Sequence, residues 1–261
     1  MVRSKNKSTI ERRIEILKLL ATSDRVLVPE LSKKFSVSEV TIRHDLEQLE
    51  RKKLLLRARG GAMRIDHVVA LDQRLAEKAK LFSQEKNRIG KAAASLIKDS
   101  DTIILDSGTT TLEVVKNISP GIHNLTIITN ALNITNHLVS NENINLLIPG
   151  GTLRRNSISL VGPVAEKNFR NFYVDKAFLG ADSFDTRHGI STPNIDEASL
   201  NQVMIEISKE VIIVTDSSKF LRRSLAFICN ISCINKVVTD SGILPDDRKR
   251  LEEAGIELII V

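Results

Sequence analysis

Cysteine, histidine and long apolar runs are scarce in this chain, and each shortage removes a class of function. There are two cysteines, Cys229 and Cys233, with no histidine near them in sequence. Two thiols alone do not complete a structural zinc site, so both are expected to be reduced, apolar core residues. The histidines, His44, His67, His123, His137 and His188, are scattered without metal-ligand spacing, so neither a metal nor another cofactor is expected. No Ser-His-Asp arrangement is visible. No segment approaches the ~18–20 uninterrupted apolar residues of a membrane helix. The apolar stretch from Ile14 to Leu20 is interrupted by Glu15 and Lys18, which excludes a secretory core sequence. The expectation is a cytoplasmic protein with no membrane partner. Neither internal repeats nor low-complexity segments occur.

Charge is present but unevenly shared. Residues 1–65 carry 16 Lys or Arg against 8 Asp or Glu, whereas residues 66–261 carry 22 against 24. At 261 residues the chain exceeds one average domain. A basic module joined to a nearly neutral one is the electrostatic pattern of a nucleic-acid arm on a ligand-binding or oligomerisation domain.

The basic module has an ordered series of elements. Ser8 with Glu11 forms a capping box ahead of Ile10, Ile14, Leu17 and Leu20, predicting a helix over about 9–21. Pro29 opens a short helix to Phe35, Ser36-Val37-Ser38 breaks it, and Ser38 caps a second helix from Glu39 to Lys52. Val40, Ile42, Leu46 and Leu49 are expected on its buried face, leaving Thr41, Arg43, His44 and Gln48 outward. In a helix-turn-helix the second helix enters the major groove, where a threonine methyl meets thymine, arginine forks onto guanine and glutamine pairs with adenine. Leu54 to Ala62 then reads as a wing: a strand, a Gly60-Gly61 turn, and Arg57 and Arg59 two apart on one face for phosphate or a minor groove. Ser38, Thr41, Arg43, His44, Gln48, Arg57 and Arg59 are thus the candidate contacts to double-stranded DNA. The rival reading, a protein-interaction winged helix, is disfavoured by the basic excess and the outward arginine.

Residues 63–82 are charged and weakly periodic and read as a connector. From Ser83 onward, short β-branched runs alternate with helices of about two to four turns, which argues a mostly parallel sheet covered on both faces. The fold expected is therefore α/β: a winged helix-turn-helix over 1–62 and a larger α/β domain over 83–261. Ligands of open α/β sheets lie beyond the carboxyl ends of the strands, and there this chain is polar. Asp106-Ser107-Gly108-Thr109-Thr110-Thr111 follows a strand and opens a helix, so glycine, hydroxyls and helix N-terminal amides make an anion cradle suited to phosphate. Asn130, Gly150-Gly151 and Asp182 sit at three further strand ends, and Lys219 lies just past another. Asn194 and Glu197 begin a helix after Gly189 to Pro193. Arg154-Arg155 is either an anion-steering pair or an exposed basic pair.

These residues match a known pattern. Thr41-Ile42-Arg43-His44-Asp45-Leu46, Leu49-Glu50, Arg57 and Gly60-Gly61-Ala62 closely resemble the helix-turn-helix signature of the DeoR family of bacterial sugar-catabolism repressors. Asp106 to Thr111, Thr129-Asn130, Pro149-Gly150-Gly151, Gly180-Ala181-Asp182, Gly189 to Thr192, Asn194, Glu197-Ala198 and Asp216 to Phe220 look like its effector domain. The match spans essentially the whole chain. Two residues depart from it: His44 stands where a second arginine is common, and Lys53 where a glycine is common, and histidine lacks arginine's bidentate fork.

The resemblance implies an effector domain similar to sugar-phosphate isomerases, a phosphorylated sugar as ligand, and a homo-oligomer, dimer or tetramer. The pattern is most like regulators of N-acetylgalactosamine and galactosamine use, which points to an amino-sugar 6-phosphate. The function expected is an operator-binding repressor, not an enzyme, released by that ligand. The alternative is a sugar-phosphate isomerase carrying a DNA-binding module, with Asp106, Asp182 or Glu197 as its base.

Overall fold

A computed structural model describes residues 9–22, 25–51, 54–58, 60–63, 72–220 and 222–261. The chain divides into two compact units, Met1–Val68 and Val69–Val261.

In the first unit, helix α1 (Thr9–Thr22) precedes strand β1 (Arg25–Leu27), helix α2 (Val28–Phe35), helix α3 (Glu39–Arg51) and strands β2 (Leu56–Ala58) and β3 (Gly61–Met63). The three strands form an antiparallel sheet in the order β1-β3-β2. Ser36 ends α2 in the left-handed conformation, φ 53°, with the Val37 amide donating to the Ser32 carbonyl and the Ser32 hydroxyl to the Val37 carbonyl. This is the sharp turn between the two helices. Gly61 is required by close approach, since a Cβ there would lie 2.0 Å from the Val26 carbonyl oxygen. Ile16, Leu20, Leu31, Ile42, Leu46, Leu49 and Leu55 make the core. One buried charge joins it: Asp45 accepts from Arg12 Nε at 2.5 Å and Arg13 Nε at 2.8 Å, tying α3 to α1.

The second unit is built on seven parallel strands. They are β4 (Thr102–Leu105), β5 (Leu125–Thr129), β6 (Ile144–Leu147), β9 (Val174–Gly180), β12 (Ser208–Val214), β14 (Lys236–Thr239) and β15 (Glu257–Ile260), in the order β15-β14-β12-β9-β4-β5-β6. Alternate residues serve opposite faces, as the two-residue period requires. Ile103 and Leu105 pack with Ile89, Ala93 and Val114 from helices α5 (Ser83–Ala94) and α6 (Thr109–Lys116). Ile104 belongs to the other core, with Phe169 of helix α8 (Pro163–Phe169) and Leu200, Val203 and Met204 of helix α9 (Ile195–Glu206). Helices α7 (Leu132–Leu138) and α10 (Pro245–Glu253) complete the layers.

Six elements in this unit lie outside the sequence expectation. Helix α4 (Leu75–Lys80) occupies part of the stretch read as connector. Strands β7 (Thr152–Arg154) and β8 (Ser159–Val161) pair as a hairpin. Strands β10 (Ser183–Asp185), β11 (Gly189–Thr192) and β13 (Ala226–Cys229) form a small antiparallel sheet. Of the cysteines, Cys229 is buried as expected, but Cys233 is exposed. Among the described residues, no helix is long and apolar enough to cross a membrane, and no group of three or more potential metal ligands occurs.

Candidate functional site

In the first unit the candidate site is the outward face of α3. The Ser38 hydroxyl accepts the Thr41 amide at 3.1 Å, satisfying one of the helix's leading donors. Arg43 and His44 are exposed, while Thr41 and Gln48 are half-buried beside them. Arg43 pairs with Glu39 across one turn at 2.6 Å, both side chains being largely exposed, so releasing arginine to a base edge costs little. Val40 corrects the sequence reading: it is 71% exposed and does not join the apolar face. Its methyl groups share the outward face with Arg43 and His44. Arg57 is tied to α3 twice, its amide donating to Glu50 Oε1 at 2.9 Å and its guanidinium to the Arg43 carbonyl at 3.1 Å. The position expected for Arg59 lies outside the described residues.

The second unit carries a cleft of about 680 Å³, counting the solvent in its mouth. It opens where strand order reverses: from β4 the chain steps outward to β5 and β6, whereas β9, β12, β14 and β15 lie on the other side. Such a switch point leaves a crevice between two diverging connections. Asp106, just past β4, fastens its floor, accepting the Gly108 amide at 2.9 Å and the Gly180 amide at 2.8 Å. Burial outweighs these donors and pushes the Asp106 carboxyl up to about 6. Ser107, Gly108, Thr109 and Thr110 line the cleft beside it. The helix α6 that starts there supplies first-turn amides without intrahelical acceptors.

Of the other residues selected from sequence, Asp182, Glu197 and Lys219 reach the cleft. Thr111 does not line it; its buried hydroxyl donates to the Asp106 and Gly108 carbonyls and closes the turn. Asn130 is buried and donates to the Leu160 carbonyl at 3.1 Å, with no hydrogen-bond partner for its Oδ1 among the described residues. Gly150 and Gly151 also lie off the cleft, and a Cβ at Gly151 would meet the Val161 carbonyl at 2.8 Å, so Gly151 serves the hairpin. Asn194 caps α9 by accepting the Glu197 amide at 2.9 Å.

Residues that sequence reasoning passed over complete the walls, Gln73, Leu75, Lys78, Lys86, Asn156, Ser157 and Asn201, together with Thr192 of the Gly189 to Thr192 run. Lys86 carried no periodic signal beyond that of a surface lysine on α5, and Lys78 fell in the supposed connector. Among the described residues, three lysines and three carboxylates line the cleft. Burial would raise Asp182, but Lys78 at 2.6 Å, helped by Lys219, holds its carboxyl below the ordinary value. Burial dominates at Glu197 and raises it, although Arg154 donates to Oε1 at 3.0 Å. The Thr192 hydroxyl stands between these acids, 3.3 Å from Asp182 and 3.2 Å from Glu197. Burial lowers Lys219, and lowers Lys86 to about 8 against the pull of Asp216. Lysines kept in poor solvation near a helix start are suited to an incoming anion, and the acids among them are suited to hydroxyl or ammonium donors.

The fold and the two sites define a winged helix-turn-helix regulator with an α/β sensor domain. Two family models match the chain, the DeoR-like helix-turn-helix domain over residues 12–68 and the DeoR C terminal sensor domain over 82–241. The chain belongs to the DeoR family and is a DNA-binding transcriptional regulator. A relative from Escherichia coli O157:H7, whose name provisionally assigns it to repression of the aga operon, is 40% identical over 97% of this chain and 94% of its own. The transcriptional repressor AccR of Agrobacterium fabrum is 38% identical over 90% of this chain and 91% of its own. The repressor GlcR of Bacillus subtilis is 32% identical over 96% and 95%. Among solved structures, ribose 5-phosphate isomerase A from Methanocaldococcus jannaschii is 17% identical with a TM-score of 0.40, over 53% of this chain and 55% of that one.

Proposed function

We propose that this regulator represses a carbohydrate catabolic operon, binds its operator as a homo-oligomer, and is released when a phosphorylated amino sugar fills the cleft. The observation that carries the reading is that one crevice is lined both by groups suited to an anion and by carboxylates. The α6 start, Lys86 and Lys219 suit phosphate, and Asp182 and Glu197 suit hydroxyl or ammonium donors. A sugar phosphate presents the matching groups at opposite ends, phosphate to the lysines and hydroxyl or ammonium to the acids. The likeness of the motifs to regulators of galactosamine use, and the aga-operon relative, support the amino-sugar class. The relatives are named as regulators, and the acids accordingly are read as binding groups. A dimer or tetramer would present two recognition helices to two half-sites.

Calorimetric titration with galactosamine 6-phosphate and with galactosamine tests this. The phosphate ester is expected to bind at least about tenfold more tightly, and Lys219→Met is expected to remove most of that advantage. Equal affinity for the two sugars, or binding of neither, overturns the reading.

A further inference from the structure

The segment from Asp72 to Lys80, containing α4, is fastened to the cleft at Asp72, Leu75 and Lys78. Its Leu75 amide donates to the Asn156 carbonyl at 2.7 Å. Lys78 donates to Asp182 at 2.6 Å, while the Lys78 carbonyl accepts Lys86 Nζ at 2.5 Å. Asp72 accepts from Arg154 at 2.5 Å and from Asn156 Nδ2 at 2.7 Å, and that same Arg154 holds Glu197. Each of these partners either lines the cleft or grips a residue that does. This segment is also the first described stretch of the second unit, so the chain running back to the DNA-binding unit leaves from its start.

We propose that residues 72–80 are a ligand-reading strap: Lys78 and Lys86 bind the effector, and filling the cleft exchanges the strap's contacts for contacts to ligand. The proposal rests on the cleft being a sugar-phosphate site. A phosphate is a stronger acceptor for the Lys86 ammonium than the Lys78 carbonyl it now holds, because the bond becomes charge-assisted on both sides. Sugar donors compete in the same way for Asp182, the partner of Lys78. Ligand and seated strap therefore draw on one set of groups, and a ligand that binds the unseated state more tightly shifts the population toward it. Asp72 does not line the cleft. It is a positioning residue, acting through Arg154 and Asn156.

Asp72→Asn separates binding from relay. In the full chain, affinity for galactosamine 6-phosphate is measured by calorimetry, and affinity for duplex DNA from the chain's own upstream region with and without saturating sugar. The variant is expected to bind the sugar within about threefold of wild type, while the sugar's effect on DNA affinity falls at least about tenfold. Asp72→Glu restores it. Hydrogen exchange at the Leu75 amide should speed up when sugar binds the wild type. An Asp72→Asn protein that keeps full coupling, or that loses sugar affinity in parallel with coupling, overturns the strap alone. Unchanged exchange at Leu75 does the same. A wild type that binds no phosphosugar overturns the reading of the cleft, and the strap with it.

Discussion

Replacing Asp45 by alanine should unfold the DNA-binding unit under conditions in which the sensor unit survives. The Asp45 side chain is 1% exposed and is the shared acceptor for Arg12, 8% exposed, and Arg13, 25% exposed. Alanine leaves the Arg12 guanidinium buried and without that acceptor. Removing one partner from a buried ion pair costs about 3–5 kcal/mol, much of it the desolvation of the charge left behind. A module of this size has a total stability of about 3–9 kcal/mol at ~0.05–0.15 kcal/mol per residue. The substitution thus consumes a third or more of it. Asn at the same place keeps the volume and one acceptor and should cost less, about 1–3 kcal/mol. The chain has no tryptophan, and its single tyrosine, Tyr173, lies in the second unit, so fluorescence is blind to this change. Native-state hydrogen exchange at the Ile42, Leu46 and Leu49 amides reads the unit directly. Asp45→Ala with a stability within about 1 kcal/mol of wild type would refute the argument that this pair locks α3 to α1.

Other expectations follow from the same geometry. Arg57→Ala should weaken binding to all duplex DNA about alike and lower the salt slope by about 1; an unchanged slope removes the wing from the interface. A Cβ at Gly90 would stand 2.5 Å from the Glu113 backbone, so Gly90→Ala must push α5 from α6 at a cost of about 1–3 kcal/mol and weaken phosphosugar binding at the α6 start. Gly121→Ala, whose nearest neighbour would be 3.7 Å away, serves as the control, and equal denaturation midpoints for the two variants contradict the packing argument. Lys86 titrates at about 8 in the folded chain against an ordinary 10.5, so above pH 8 it must regain a proton to hold phosphate. Sugar-phosphate affinity should then fall by up to about tenfold per pH unit. The unliganded protein should show the opposite sign, gaining stability between pH 8 and 10.5, where the unfolded chain binds the extra proton. Affinity that stays flat from pH 7.5 to 9.5 excludes Lys86 from the phosphate.

The helix-turn-helix and the parallel sheet were legible because their patterns are local. The Ser36 to Ser38 break, the apolar spacing of Ile42, Leu46 and Leu49, and β-branched runs such as Thr102–Leu105 each announce their element within a few residues. Val40 was misplaced because it stands two residues before Ile42, about 200° round the helix, which puts it opposite the buried face. The hairpin of β7 and β8 was invisible, since three-residue strands of mixed polarity carry no period. With it went Asn156 and Ser157, and the role of Arg154. Lys78, Lys86 and the strap were illegible for a different reason. They are defined by partners about eight to a hundred positions away, such as Asp182, and no spacing rule reaches that far.

The most direct measurement is binding of duplex DNA from the chain's own upstream region, at fixed salt, with a panel of hexose and amino-sugar 6-phosphates and their unphosphorylated forms. Tight binding relieved by one phosphosugar, and not by the free sugar, is the result the account predicts. Tight binding that no sugar phosphate alters would leave the DNA-binding unit in place and contradict the cleft as its switch.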